Sequence, residues 1–95
     1  MIEVKVSFFL MLREIVGAKT VKLNLPERST VLDLVKFLAK EYGEQFSKYV
    51  FDEKHSVRQY LSFLVNSKNI EHLNGFKTRL NSGDSIVILP PPAGG

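Results

Sequence analysis

The sequence contains one long amphipathic helix pattern, and strand-like alternation lies on both sides of it. Between Val31 and Tyr42, apolar residues recur at helical spacing and form one stripe, while the lysines and acidic residues lie off it. Before this segment, apolar and polar residues alternate over residues 2–9 and 20–25, which is the period of strands with one buried face. Because one helix can cover only one face of one sheet, the pattern favours a two-layer α+β fold.

Turn and cap signals set the limits of these segments. Gly17 separates the first strand and a short apolar stretch from the second strand, so the two strands are expected to pair as antiparallel neighbours. Thr30 and Asp33 resemble a capping box at the start of the helix, and Gly43 is a suitable C-terminal stop. Residues 44–59 show no sustained period and predict a short helical turn followed by an exposed loop.

Three further strands are predicted in the last third of the chain. Residues 60–66 alternate again, Ile70 is predicted to begin a brief fourth strand, and residues 85–89 form the last one. The resulting order is typical of the β-grasp fold, a mixed sheet of about five strands covered on one face by one main helix. We expect residues 1–89 to form this domain and residues 90–95, PPPAGG, to form an extended C-terminal tail.

Composition excludes several classes of site and partner. The 95 residues suit one domain, and the absence of cysteine excludes disulfides, thiolate metal sites and a cysteine nucleophile. The net charge of +3 is scattered, without a basic block that alternates with aromatics, so no nucleic-acid partner is expected. No apolar run suits a membrane span and the first residues do not resemble a signal peptide, so a cytoplasmic location without membrane contact is expected.

The outer face of the predicted sheet is apolar where it should be polar. The alternation places Phe9, Leu64, Val87 and Leu89 on this face, near the carboxyl ends of three strands, and Ile70 could extend the set. If the first and last strands are parallel neighbours, Phe9 lies beside Leu89. A contiguous set of this kind indicates a protein–protein interface. The alternatives are that a loop or the short helix covers these residues, or that they are singly exposed without a role.

The usual catalytic motifs are missing from the chain. There is no glycine-rich phosphate loop and no paired-histidine metal motif, and His55 and His72 are isolated in polar stretches typical of the surface. We therefore expect no stand-alone active site, no metal and no permanently bound cofactor.

The C-terminal tail is the remaining candidate for chemistry. Gly94 and Gly95 lack Cβ atoms, so they could enter a narrow channel and expose the terminal carboxylate to another protein. The prolines before them favour an extended polyproline conformation, and six residues could reach about 20 Å. The predicted contact positions in the tail are Pro90, Pro91, Pro92 and Ala93. On composition alone, an ordinary frayed end explains this segment equally well.

Several motifs, in order along the chain, resemble the MoaD/ThiS sulfur-carrier family. The segment FFLMLREIVG at residues 8–17 resembles the FFA-x-LRE-x-x-G motif of this family. Val65-Asn66, the GDSIVIL segment at residues 83–89 and the final PPPAGG resemble the family signatures VN, GDEV and PPVAGG. The resemblance covers the whole chain and is greatest for MoaD-type members. Two features depart from the family pattern: Pro92 stands where valine is frequent, and residues 44–59 are longer than in the shortest members.

The resemblance implies a β-grasp carrier that works through its terminal carboxylate. A ubiquitin-activating-like (MoeB-like) enzyme would adenylate Gly95 with ATP, and a sulfur donor would convert it to a thiocarboxylate. In MoaD-type members the tail enters the large subunit of molybdopterin synthase (MoaE-like), where sulfur passes to a pterin precursor of the molybdenum cofactor. The resemblance also implies that Phe9, Leu89 and the tail contact the partner. The alternatives are a ubiquitin-like modifier joined to lysines through Gly95, and a carrier for another thiolation pathway.

Overall fold

The computed structural model describes residues 1–91. Its elements in chain order are β1 (Ile2–Phe8), α1 (Met11–Val16), β2 (Thr20–Leu25), α2 (Val31–Tyr42), α3 (Glu44–Val50), β3 (Ser62–Val65), β4 (Lys68–Asn69), 3-10 helices at Ile70–His72 and Gly75–Lys77, and β5 (Ser85–Leu89). In this described part of the chain, no helix is both long enough and apolar enough to cross a membrane.

The strands form one mixed sheet in the order β2-β1-β5-β3-β4. β1 pairs with β2 in antiparallel orientation and with β5 in parallel orientation, and β3 is antiparallel to both β4 and β5. The parallel pair at the centre joins the first and last strands, with Phe8 opposite Ile88. This arrangement is the β-grasp fold that the alternation and the single long helix predicted.

The inner face of the sheet and the apolar stripe of α2 form the core. Four residues of α2 are fully buried, and they are Val31, Leu34, Val35 and Leu38. The sheet contributes side chains at every second position, including Val4, Val6 and Phe8 of β1 and Ile86 and Ile88 of β5. Since nearly all of these side chains have no contact with water, the core accounts for most of the hydrophobic free energy of folding.

The predicted capping box at the start of α2 is present. The Thr30 hydroxyl accepts a hydrogen bond from the Asp33 N–H at 3.2 Å, and the Asp33 carboxylate accepts one from the Thr30 N–H at 2.9 Å. At the other end, Gly43 has φ 83°, a conformation that glycine adopts without strain, and its N–H donates to the Ala39 carbonyl. Both predicted limits of the long helix are therefore confirmed.

Residues 44–59 differ from the prediction in their first half. In place of a short turn, Glu44–Val50 forms the helix α3, and its Phe46 and Val50 are fully buried in the core. An irregular loop follows, closed by an isolated bridge between Phe51 and Val57. The sequence pattern missed α3 because a helix of seven residues presents only two turns, which is too short for a period to be recognised.

The predicted start of the fourth strand at Ile70 is wrong, because the strand lies just before that residue, at Lys68–Asn69. β4 ends at Asn69, and Ile70 begins a 3-10 helix in place of a strand. The Asn69 side chain accepts a hydrogen bond from the Glu71 N–H at 2.9 Å, which stabilises this tight turn. The change of conformation directs Ile70 into the core.

Candidate docking surface at the end of the last strand

Three neighbouring strands, β1, β5 and β3, carry the predicted outer-face residues at their carboxyl ends or directly after them. Leu64 of β3 lies opposite Val87 of β5, and Ser62 lies opposite Leu89. On the other side of β5, Phe8 is paired with Ile88 at the end of the parallel ladder, and Phe9 follows Phe8 directly in the chain, as Leu89 follows Ile88. Phe9, Leu64, Val87 and Leu89 are all partly accessible to water. We call these four residues the apolar patch.

Ile70 is not part of the apolar patch, which corrects the sequence prediction. Its side chain is only 4% exposed and belongs to the core cluster. The position opposite Leu64 on the outer face is taken by Asn69, and Ser62 stands opposite Leu89. The apolar patch therefore has a polar border on the side of β4.

Arg13 holds Phe9 at the border of the apolar patch. The Arg13 Nε donates a hydrogen bond to the Phe8 carbonyl at 2.6 Å, and the guanidinium carbon lies 4.8 Å from the centroid of the Phe9 ring. The hydrogen bond fixes the guanidinium and the cation–π contact fixes the ring. Arg13 lies in the FFLMLREIVG segment, but nothing in the sequence pattern predicted a role for it. A basic residue four positions after an exposed-face aromatic was the only available signal.

Further exposed apolar side chains adjoin the patch in the chain. Leu10, immediately after Phe9, is 70% exposed and has φ 49°, and Met11 is 48% exposed. A leucine with positive φ is uncommon and costs conformational energy, because its Cβ approaches backbone atoms. Leu10 and Met11 were missed because the strand period ends at Phe9.

A polar network fixes the register of the strands below the apolar patch. Asn66, after β3, donates from its side-chain amide to the Asp84 carboxylate at 2.9 Å and accepts from the Ser85 N–H at 2.9 Å. The same Asp84 carboxylate accepts from the Asn81 N–H at 2.8 Å. Asn66 and Asp84 belong to the VN-like and GD-like motifs, and their contacts are structural. They hold the start of β5 against β3, so that Val87 stands opposite Leu64.

β5 leads from the apolar patch directly towards the C-terminal tail. It ends at Leu89, Pro90 is partly buried, and Pro91 is exposed. Proline has no N–H to donate, so these residues are unsuited to continuing the hydrogen-bond ladder. The predicted positions Pro92, Ala93, Gly94 and Gly95 lie outside the described residues, and their roles remain predictions. The geometry shows that a partner seated on the apolar patch is next to the point where the tail begins.

Titratable side chains add little to this surface. Among residues 1–91, no three His, Asp or Glu side chains come close enough together to hold a metal ion. Two hydrogen bonds from Thr30, first from its backbone N–H and second from its hydroxyl, lower the pKa of Asp33. This shift belongs to the start of α2 and not to the apolar patch.

Comparison with known proteins gives consistent relatives along the whole chain. The model of the ThiS family matches residues 6–95. Small archaeal modifier protein 3 of Haloferax volcanii is 32% identical over 98% of this chain and 99% of its own length. The molybdopterin synthase sulfur carrier subunit of Dictyostelium discoideum is 27% identical over 96% of this chain and 94% of its own length.

A solved structure agrees with the fold described above. The solution structure of small archaeal modifier protein 1 from Methanosarcina acetivorans is 36% identical, with a TM-score of 0.83 over 100% of this chain and 98% of that one. The family match extends over nearly the whole chain and includes both the apolar patch and the tail. The chain therefore belongs to the ThiS family, whose members are ubiquitin-like sulfur carriers.

Proposed function

We propose that this chain is the sulfur-carrying small subunit of a molybdopterin synthase and that its Gly95 carboxylate is the working group. The observation that carries the proposal is the position of the apolar patch, which lies at the carboxyl end of β5 and leads into the diglycine tail. A sulfur carrier subunit from Dictyostelium discoideum, similar over nearly the full length of both chains, supports the choice of pathway.

The chemistry takes place in two steps at Gly95. A carboxylate oxygen attacks the α-phosphorus of ATP, pyrophosphate leaves, and an acyl-adenylate forms on the glycine. A sulfur nucleophile from a donor then attacks the carbonyl carbon, and AMP leaves with its electron pair. When the donor is a persulfide, the product is an acyl disulfide; a thiol then attacks the donor-side sulfur and forms a disulfide with it, and the thiocarboxylate leaves with the electron pair of the cleaved S–S bond. The domain holds no catalytic group for either step in this scheme, because the adenylating (MoeB-like) partner supplies ATP and the reactive side chains. No cofactor is held permanently.

In this scheme, the folded domain binds the partner and positions the C-terminal tail. A partner that covers Phe9, Leu64, Val87 and Leu89 removes partly exposed apolar surface from water and gains free energy from that burial. From there, the tail delivers Gly94 and Gly95, which have no side chains to obstruct a narrow channel. The large synthase subunit (MoaE-like) is the proposed receiver, and sulfur passes there from the thiocarboxylate to the pterin precursor.

A second candidate function uses the same activated glycine. Similarity to archaeal modifier proteins at 32% and 36% identity favours a protein modifier, in which Gly95 joins a lysine of a target protein through an isopeptide bond. In that reaction the lysine amine attacks the activated carbonyl and the activating group leaves. A carrier for another thiolation pathway shares the first two steps with the main proposal.

Intact mass spectrometry of the full-length chain tests the carrier chemistry. With ATP, a cognate adenylating enzyme and a sulfur donor, the mass should increase by the exchange of one oxygen for sulfur. A variant that lacks Gly95 should show no increase, since its new terminus is displaced by one residue. An unchanged mass for the full-length chain, while the adenylating enzyme modifies its own known carrier, would contradict the proposal.

The receiving protein distinguishes the candidate functions. Thiocarboxylated chain mixed with a large synthase subunit and the pterin precursor should lose its sulfur as dithiolene forms. Sulfur loss only to another acceptor would reject the molybdopterin role, and isopeptide-linked products would support the modifier.

Substitutions in the apolar patch test the docking step. Phe9→Asp and Leu89→Asp should each weaken binding of the large subunit by at least about tenfold, because a charge would be buried without a partner. Asn24→Asp is the matched control, since it places the same charge on the exposed outer face at β2, away from the patch. Equal affinities for all three variants would show that the partner binds elsewhere.

A further inference from the structure

The sheet has one long free edge, which is the outer side of β2. β2 spans six residues, Thr20–Leu25, and stands at one end of the strand order, whereas β4 at the other end has only two residues. In the described chain, no helix or strand other than β1 packs its backbone closely along β2. The free edge of β2 is therefore accessible to another chain.

The backbone groups on this edge are unpaired at every second residue. The Phe8 N–H donates to the Lys19 carbonyl at 2.9 Å, and these residues extend the β1–β2 register by one pair. Because hydrogen-bonded and non-bonded pairs alternate in an antiparallel ladder, Val21 and Leu23 bond to β1 while their neighbours turn away. The N–H and C=O groups that turn away belong to the exposed residues Thr20, Lys22 and Asn24. Within residues 1–91 these groups have no hydrogen-bond partner.

The inner face of this edge carries two apolar side chains that are incompletely buried. Val21 and Leu23 pack against the core but stay partly exposed. Their direct partners on β1, Val6 and Val4, are 0% and 1% exposed. The difference arises because β1 has a strand on each side, whereas β2 has a strand on one side only. An added strand with apolar side chains beside Val21 and Leu23 would complete their burial.

The outer face of this edge carries an excess of positive charge. Lys22 stands directly opposite Lys5 of β1, in a pair without backbone hydrogen bonds, where side chains come closest. Like charges in this position repel each other and lower stability. Glu3 is the one acidic residue on the outer face of β1 and β2, and it stands opposite Asn24. In the described chain Glu3 forms no ion pair with either lysine, and its charge offsets only one of them.

We propose that the free edge of β2 binds an extended acidic segment of a partner protein as an added antiparallel strand. The backbone groups of the edge select an extended main chain, which offers donors and acceptors at the matching spacing. The side chains select an alternating sequence, with apolar residues beside Val21 and Leu23 and an acidic residue opposite Lys22. The antiparallel orientation is the more stable of the two pairings. The proposal does not depend on the chemistry at Gly95.

The same charges disfavour a second copy of this chain as the occupant. Two β2 edges that pair in antiparallel orientation about Lys22 would place the two Lys22 side chains opposite each other, beside Lys5 of each copy. A lysine on an edge strand opposes pairing between identical edges in this way. The edge therefore discriminates between its own sequence and an acidic strand.

Hydrogen exchange in the full-length, isotope-labelled chain, measured by NMR, tests the proposal. The probe is a capped peptide of seven residues in which valine and glutamate alternate, with valine at both ends. At saturating peptide, exchange of the Thr20, Lys22 and Asn24 amides should slow by about tenfold or more, because these N–H groups become hydrogen-bonded. The Val21 and Leu23 amides already bond to β1, so their exchange should change less. Unchanged exchange of the three edge amides at millimolar peptide would overturn the proposal.

A charge reversal on the edge strand tests the selection for acidic residues. Lys22→Glu should weaken peptide binding by about fivefold or more, because it places like charges opposite each other. The variant should remain folded, since the new carboxylate stands opposite Lys5. Lys68→Glu is the matched control, because Lys68 is exposed on β4 at the other edge of the sheet. Its affinity should stay within about twofold of the parent chain. Equal losses for the two variants would indicate general charge attraction and overturn the proposal.

Modified peptides separate a backbone ladder from charge attraction. N-methylation of the three glutamates removes the N–H groups that face β2 in the antiparallel arrangement, so it should abolish binding. N-methylation of three valines modifies N–H groups that face away from β2, and the affinity should stay within about threefold. A peptide with lysines in place of the glutamates should not bind. Equal affinities of the two methylated peptides, or equal affinities of the lysine and glutamate peptides, would overturn the proposal.

Discussion

At the scale of single residues, the candidate surface depends on how Phe9 is held. The ring follows β1, where the regular pattern ends, and it is fixed by Arg13 through a hydrogen bond to the Phe8 carbonyl and a contact with the ring face. Leu10 then adopts a positive φ, which turns the chain into α1. The position of the Phe9 ring in the proposed docking surface therefore depends on a basic residue, Arg13.

Replacing Arg13 should reduce both stability and partner binding. Arg13→Gln removes the cation–π contact and the charged hydrogen bond, and we expect a loss of about 1–2 kcal/mol in the free energy of unfolding by urea denaturation. Affinity for the partner should fall by about threefold or more, because the freed Phe9 ring loses rotamer entropy on binding. Arg28→Gln, at an exposed position away from the patch, should change neither quantity. If Arg13→Gln leaves the affinity for the partner unchanged, partner binding does not depend on the contact between Arg13 and Phe9.

The residues of the candidate site differ in whether the neighbouring sequence is enough to predict their positions. Leu64, Val87 and Leu89 could be predicted, because the two-residue period alone assigns the face of a strand. Ile70 was assigned wrongly, because the 3-10 helix that begins there is set by a hydrogen bond from Glu71 to Asn69 that no period reveals. Arg13 could not be predicted, because its role depends on the contact between α1 and the end of β1.

At the scale of elements, local signals specify α2 and long-range contacts specify α3. The start of α2 is marked by the reciprocal hydrogen bonds of Thr30 and Asp33, and its end by Gly43. α3 has no side-chain cap, and its burial depends on Phe46 and Val50 reaching the core. The helical period and capping thus predicted α2 in full, whereas α3 is stabilised by tertiary packing.

The capping box predicts a specific pH dependence. Hydrogen bonds from Thr30 lower the pKa of Asp33 in the folded chain. The stabilisation by the ionised Asp33 carboxylate is therefore complete above the pKa of Asp33 in the unfolded chain, which is about 4. It is lost as the pH falls through the lower pKa of Asp33 in the folded chain. Asp33→Asn should cost a few tenths to about 1 kcal/mol at pH 7 in urea denaturation, and the difference from the parent chain should disappear in strong acid.

A control at the other end of the same helix isolates the effect. Glu41→Gln removes an exposed carboxylate from the last turn of α2, where a negative charge is not favoured by the helix dipole. It should not reproduce the acid-dependent loss. A constant difference between Asp33→Asn and the parent chain across the pH range would contradict the ionic contribution of the cap.

The buried position of α3 predicts a large effect of one truncation. Phe46 is fully buried and its ring centroid lies 6.3 Å from that of Tyr42, so Phe46→Ala leaves a cavity between α3 and α2. We expect a loss of about 3–5 kcal/mol in the free energy of unfolding, measured by urea denaturation. Gln45→Ala, on the exposed side of α3, should change it by less than about 0.5 kcal/mol. A small effect of Phe46→Ala would show that α3 is not part of the cooperative core.

At the scale of the whole molecule, the stable body and the proposed chemistry occupy separate parts of the chain. Every buried apolar residue of the described part lies between Ile2 and Ile88, and the apolar patch covers the end of that body. The activated group is proposed at Gly95, beyond the last strand. This separation explains why the fold could be predicted from periodicity while the reactive group could be recognised only from the family motifs.

Removing residues 92–95 should therefore separate function from stability. The truncated chain keeps all residues of the core cluster, so its melting temperature should remain within about 2 °C of the parent chain. Adenylation and sulfur loading should be abolished, because the proposed acceptor carboxylate is removed. The large subunit should still bind, more weakly, through the apolar patch. A melting temperature lowered by more than about 5 °C would show that the tail stabilises the folded domain, and the model of an independent body with a separate reactive end would then be wrong.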